Sequence, residues 1–158
     1  MGEIDLYPSI EVWLNKHLKE KYPNYDVETT YKSSTHTLEN VMREHGISLS
    51  KAYLLNIKID ILGILRKKNN IELVFVEVKD AMLTLKDLGQ LWGYTQLINP
   101  IESFLISSKG LGVLSEIYNV LNRRDLFVYG SKGERTMKAA KWSINSKSID
   151  YSTLIPHS

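Results

Sequence analysis

Cysteine is absent from the 158 residues, which excludes disulfides, thiolate catalysis, cysteine-ligated zinc and cysteine-ligated iron–sulfur clusters. Any metal must therefore be held by oxygen or imidazole. The four histidines, His17, His36, His45 and His157, show no tight ligand spacing, which argues against an imidazole site. Proline and glycine are sparse and form no linker-like tract, and no apolar run approaches the roughly 18 residues of a membrane span. The opening MGEIDLYPSIEVW carries acids where a secretory signal has a basic region and an apolar core, so a soluble, intracellular, cytoplasmic protein is expected.

What is present is ordinary globular composition, 43% hydrophobic and 24% charged, in a chain of about one domain's length. The net charge of +2 is too small to announce nucleic acid, but residues 131–158 hold five basic and two acidic side chains. In SKGERTMKAAKW, Arg135, Lys138 and Lys141 recur at helical spacing and Trp142 follows. A basic stripe ending in an aromatic suits phosphate contact and base stacking; a solvated helix face near a terminus has the same pattern.

Hydrophobic periodicity predicts a first helix in PSIEVWLNKHLKEKYP, capped by Ser9 and ended before Pro23, then a strand in YDVETTY. KSSTHTLENVMREHG reads as a polar loop opening a small helix stopped at Gly46. YLLNIKIDILGIL and IELVFVEVK read as strands joined by a hairpin turn at RKKNN. Thr84 and Asp87 resemble a capping box for a helix over TLKDLGQLWGYTQLI, ended before Pro100. Strand SFLIS, helix GVLSEIYNVLN and strand LFVYG complete the alternation. SSKGLG lacks a phosphate-loop pattern and reads as an ordinary connection. The order gives one α/β domain over residues 1–158, a mixed β-sheet flanked by helices, with a core at about 9–130 and a basic C-terminal extension at 131–158.

The two hydrophobic strands of the hairpin carry Asp60, Glu77 and Lys79. With the turn centred on Lys68 and Asn69, Asp60 faces Glu77; a slip of two places it opposite Lys79 instead. The three charges converge in either register, because side chains alternate along a strand. Opposed carboxylates about 5 Å apart at Cβ are destabilising. A divalent cation suits such a pair, because Mg²⁺ is commonly held by one or two carboxylates plus water and substrate phosphate. Lys79 would then act on the attacking water or on the phosphate's developing charge. An ordinary Asp60–Lys79 ion pair with Glu77 exposed is the other reading.

Asp60 and, after residues 61–76, Glu77-Val78-Lys79 at the end of an apolar strand resemble the PD-(D/E)xK nuclease superfamily of metal-dependent phosphodiesterases. Ile59 stands where the motif's proline would be. In GQLWGYTQ, Gln90 and Tyr94 resemble the QxxxY motif of the RecB-type branch, whose histidine would be His36 or His45. The resemblance implies a restriction-endonuclease-like core. Asp60, Glu77 and the Val78 carbonyl would hold Mg²⁺ or Mn²⁺, and Lys79 would act at the nucleophile. Gln90 and Tyr94, on the same helix side as Lys86 and opposite Leu88, Leu91 and Trp92, would face the site. Glu11 is the candidate for a further carboxylate from the first helix, where the helix dipole also favours an acid. The expected function is Mg²⁺-dependent hydrolysis of phosphodiester bonds in DNA, endo- or exonucleolytic, by a homodimer with Arg135, Lys138 and Lys141 on nucleic acid. A non-catalytic nucleic-acid-binding or assembly protein of the same fold is the rival.

Overall fold

The computed structural model describes residues 2–48 and 56–157. Its first helix, α1, spans Glu3–Lys21 and so begins well before the expected cap at Ser9. The cap is Gly2, whose N–H donates to Asp5 Oδ2 at 2.8 Å, and Ser9 lies within the helix with its hydroxyl on Leu6 O. Pro8 sits inside α1, where it removes one backbone hydrogen bond. The helix outlasts that loss because Leu6, Tyr7, Ile10, Leu14 and Leu18 form one buried face at helical spacing.

Seven strands form one mixed sheet: β1 (Asp26–Thr30), β2 (Ile61–Lys67), β3 (Asn70–Lys79), β4 (Glu102–Ser107), β5 (Val128–Tyr129), β6 (Arg135–Ser143) and β7 (Ser148–Ile155). Their order is β1-β2-β3-β4-β6-β5, with β7 also paired to β6. β1, β2 and β3 are antiparallel, whereas β3, β4 and β6 run parallel. β2 begins only at Ile61; Tyr53–Leu55, expected in the same strand, lie outside the described residues.

α1 covers one face, packing with Ile61, Leu65, Val74, Val76, Val78, Phe104 and Trp142. On the other face α2 (Leu38–Glu44), α3 (Leu85–Ile98) and α4 (Val113–Asn119) pack on Leu62, Ile64, Phe75, Leu105 and Ala139. Burial on both faces explains why β2 and β3 read as nearly continuous hydrophobic runs. Gly63 is bare because a Cβ there would meet Leu18 Cδ1 at 2.8 Å and Val74 Cβ at 3.1 Å, so α1 approaches the hairpin backbone directly. Thr84 and Asp87 form the expected capping box of α3, and Asn99 closes it in the left-handed conformation.

The expected basic helix after residue 131 is instead β6, a central strand, followed by β7. Met137 and Ala139 are buried with one core cluster, Ala140 and Trp142 with the other. That period of two is the strand signal, and it outweighs the three-residue spacing of the basic side chains. The expected strand LFVYG contracts to β5 after a 3-10 turn at Arg124–Phe127. Among the described residues no helix is long and apolar enough to cross a membrane.

Candidate metal centre

From Lys67↔Asn70 to Ile61↔Val76 the hairpin holds one register, and its continuation brings Asp60 to Glu77. The register slipped by two does not occur. Asp60 lies just beyond β2, with both oxygens engaged: Tyr7 donates its hydroxyl to Oδ1 at 2.9 Å, and the Val78 N–H donates to Oδ2 at 2.8 Å. Glu77 is only 7% exposed, and its Oε1 is buried without a hydrogen-bond partner. Burial, reinforced by the charge of Asp60, pushes the Glu77 carboxyl up to about 9. Lys79 directs its ammonium to Asp87 Oδ1 at 3.9 Å, not to Asp60. The alternative of an Asp60–Lys79 pair with Glu77 exposed is therefore not what the structure contains.

Asp87 belongs to the first turn of α3, so the helix that follows the hairpin is tied back to it. Gln90 and Tyr94 lie three and seven residues after Asp87, on the same flank, and Gln90 Nε2 donates to the Tyr94 hydroxyl oxygen at 3.3 Å. Tyr94 is half-buried against the core, and Lys86 and Gln90 are exposed. Trp92, expected on the buried side, is 44% exposed; Leu88, Leu91 and Thr95 fill that side instead. The pattern of Leu88, Leu91 and Thr95 rotates the buried stripe away from Trp92.

From α1 the side chain that reaches Asp60 is Tyr7. Burial and the Asp60 charge raise its hydroxyl pKa, with smaller effects from Glu3, one turn earlier, and Glu77. Glu11 instead accepts from the Thr29 hydroxyl at 3.3 Å, beside β1, and burial raises its carboxyl pKa. Tyr7 escaped the sequence analysis because Pro8 concealed the true helix start; its four-residue spacing from Glu3 and three-residue spacing from Ile10 was the available signal.

The basic residues of β6 are not brought together. Arg135, at its amino end, approaches Glu72 and donates to Asn99 O. Lys138 shares strand parity with Ala140 and Trp142 on the α1 face. Lys141 lies at the carboxyl end, where Lys79↔Ser107 and Ser107↔Lys141 form one registered row across three parallel strands. A groove of about 400 Å³ opens beside it, lined by Ser108, Lys141, Trp142, Asn145 and Asp150 among others. Ligands of open α/β sheets bind outside such carboxyl ends.

His36 contacts Thr35, and His45 pairs with Glu28 on β1. His17 stacks on Trp13 and meets Glu102, at the other end of the sheet. Burial by itself would raise the Glu102 carboxyl, but hydrogen bonds from His17 and Tyr22 and the nearby charges of His17 and Lys21 lower it to about 2. That is a satisfied structural network.

Among the described residues no three His, Asp or Glu side chains converge as a ligand set. The hairpin nevertheless fits a cation in the manner of Mg²⁺, which needs only one or two carboxylates. The orphaned Glu77 Oε1 beside Asp60 is an acceptor that such an ion would satisfy. Compared with protein-family models, curated proteins and solved structures, the chain shows no significant match.

Proposed function

We propose that the protein is a Mg²⁺- or Mn²⁺-dependent nuclease of PD-(D/E)xK type that hydrolyses phosphodiester bonds in DNA. The observation that carries this reading is Glu77 Oε1, buried without a hydrogen-bond partner beside Asp60 at the end of the hairpin. The order α1, β1, β2, β3, α3, β4 supports a restriction-endonuclease-like core, and the Gln90–Tyr94 flank of a helix tied to Lys79 supports the QxxxY resemblance.

Asp60, Glu77 and the Val78 carbonyl would hold the cation. When bound, it would supply Lewis-acid polarisation of a phosphate and a water of lowered pKa. Tyr7 and the Val78 N–H fix the Asp60 carboxylate in place, so its geometry is set before substrate arrives. Lys79 supplies positive charge against the charge that develops on phosphate, and Asp87 orients it. Gln90 and Tyr94 would position the substrate, and Lys141 would contact a phosphate farther along the sheet end. A homodimer would present two such sites to two strands.

The test is incubation with linear, circular, single-stranded and branched DNA, with and without Mg²⁺ or Mn²⁺. Wild type should cut only with metal, and folded Glu77→Ala and Lys79→Ala variants should lose cutting. Binding without any cutting would favour the non-catalytic rival, and full activity in either variant would overturn the mechanism.

A further inference from the structure

Beside the hairpin site, on the β1 side, stands an aromatic ring that the proposed chemistry does not use. Tyr31 follows β1, whose Thr30 pairs with Leu62, so the register continues Tyr31 toward Ile61 at the start of β2, one residue after Asp60. Its ring lies 6.2 Å from the Tyr7 ring, tilted by 48°, and Tyr7 in turn donates to Asp60. Tyr31 remains 41% exposed. Its backbone is held: Ser34 donates to Tyr31 O through its N–H at 3.1 Å and its hydroxyl at 2.8 Å. An aromatic ring one ring away from the Asp60 carboxylate and open to solvent offers a surface to a flat ligand.

A cation accompanies it. The segment leading to Asp60 runs beside the turn after Tyr31, with the Ile59 N–H donating to Ser33 O at 3.1 Å. Ile57 and Ile59 are buried, and Lys58 between them, two residues before Asp60, is exposed. No acid pairs with Lys58 among the described residues. An open aromatic and an uncompensated cation flanking a phosphodiesterase site are the two elements of single-strand recognition, stacking on a base and contact with its phosphate.

We infer that Tyr31 is the stacking platform for an unpaired base next to the scissile phosphate, with Lys58 on the phosphate of that nucleotide. This rests on the nuclease reading and adds the substrate class: nucleic acid that is single-stranded or splayed where it enters the site. Inside a duplex both faces of a base are covered by its neighbours, so only a base outside the stack can take a protein ring.

The experiment uses short single-stranded and duplex DNA carrying 2-aminopurine, titrated into full-length protein in EDTA, where no cutting occurs. Wild type should bind the single strand more tightly and quench the probe by stacking. Tyr31→Phe should retain both properties. Tyr31→Leu should lose roughly 5- to 150-fold in single-strand affinity, the range for one stacked base, together with the quench. Lys58→Ala should lower the single-strand salt slope by about 0.7, one phosphate contact. In Mg²⁺, Tyr31→Leu should raise KM more than it lowers kcat. A folded Tyr31→Leu that binds and quenches like wild type, or a wild type that prefers duplex, overturns the assignment while leaving cleavage intact. Stacking without any cleavage by wild type overturns the nuclease reading instead.

Discussion

Tyr7, from the helix on one face of the sheet, donates to Asp60 Oδ1 at 2.9 Å, while Val78 from the neighbouring strand donates to Oδ2 at 2.8 Å. Tyr7→Phe keeps the buried ring and removes only the donor. A half-buried carboxylate oxygen left without its partner costs about 1–3 kcal/mol. The variant should therefore unfold at lower urea in EDTA and need more Mg²⁺ for half-maximal cleavage. Unchanged values in both measurements would make the hydroxyl an idle contact.

Asp60→Asn separates repulsion from ligation. Asparagine can still accept from Val78 through its carbonyl and donate to the Tyr7 oxygen through its amide, while the negative charge beside Glu77 is gone. In EDTA at pH above about 9, where Glu77 is ionised as well, the metal-free variant should be as stable as wild type or more stable. The same change removes a ligand, so the rise in melting temperature on adding Mg²⁺ should shrink or vanish. A variant less stable in EDTA, yet stabilised by Mg²⁺ as much as wild type, would place the metal elsewhere.

Glu77 makes the metal-free protein sensitive to pH. Its carboxyl rises from an ordinary 4.5 to about 9 on folding, through burial and then the Asp60 charge. A raised folded pKa favours the fold fully below about 4.5, and that contribution is lost as pH climbs to about 9. Urea midpoints in EDTA should therefore fall between pH 5 and 9, and Glu77→Gln, which stays neutral, should fall less. Mg²⁺ binding near neutral pH should release a proton, because the ligand must ionise. Parallel pH profiles for the two proteins would sink the assignment.

The three basic side chains of β6 should behave differently from one another. Lys141→Glu, at the row shared with Lys79 and Ser107, should weaken DNA binding and lower the duplex salt slope by about 0.9 or more. Lys138→Glu, on the α1 face, should leave that slope unchanged, and Arg135→Glu should cost stability through Glu72 and Asn99. Equal loss of affinity in all three would restore a continuous basic stripe.

Local chemistry made much of the scaffold readable from the sequence. The Thr84–Asp87 cap, the two-residue turn at Lys68 and Asn69, and the alternation that puts Glu77 and Lys79 on one face all act within a few residues, and each took its expected place. The hairpin register, and with it the meeting of Asp60 and Glu77, followed from that turn.

Tertiary structure decided what depends on partners distant in sequence. Pro8 marks a helix start by local preference, yet the buried face of Leu6, Tyr7 and Ile10 carries α1 through it and delivers Tyr7 to Asp60. Arg135, Lys138 and Lys141 have helical spacing, but β4 offered an open edge to Met137, Ala139, Ala140 and Trp142, and that pairing made a central strand. Whether Glu77 was buried or exposed could not be read from its own strand either. Its burial and its unpartnered oxygen arise only in the packed tertiary structure, because desolvation is a property of the whole packed environment.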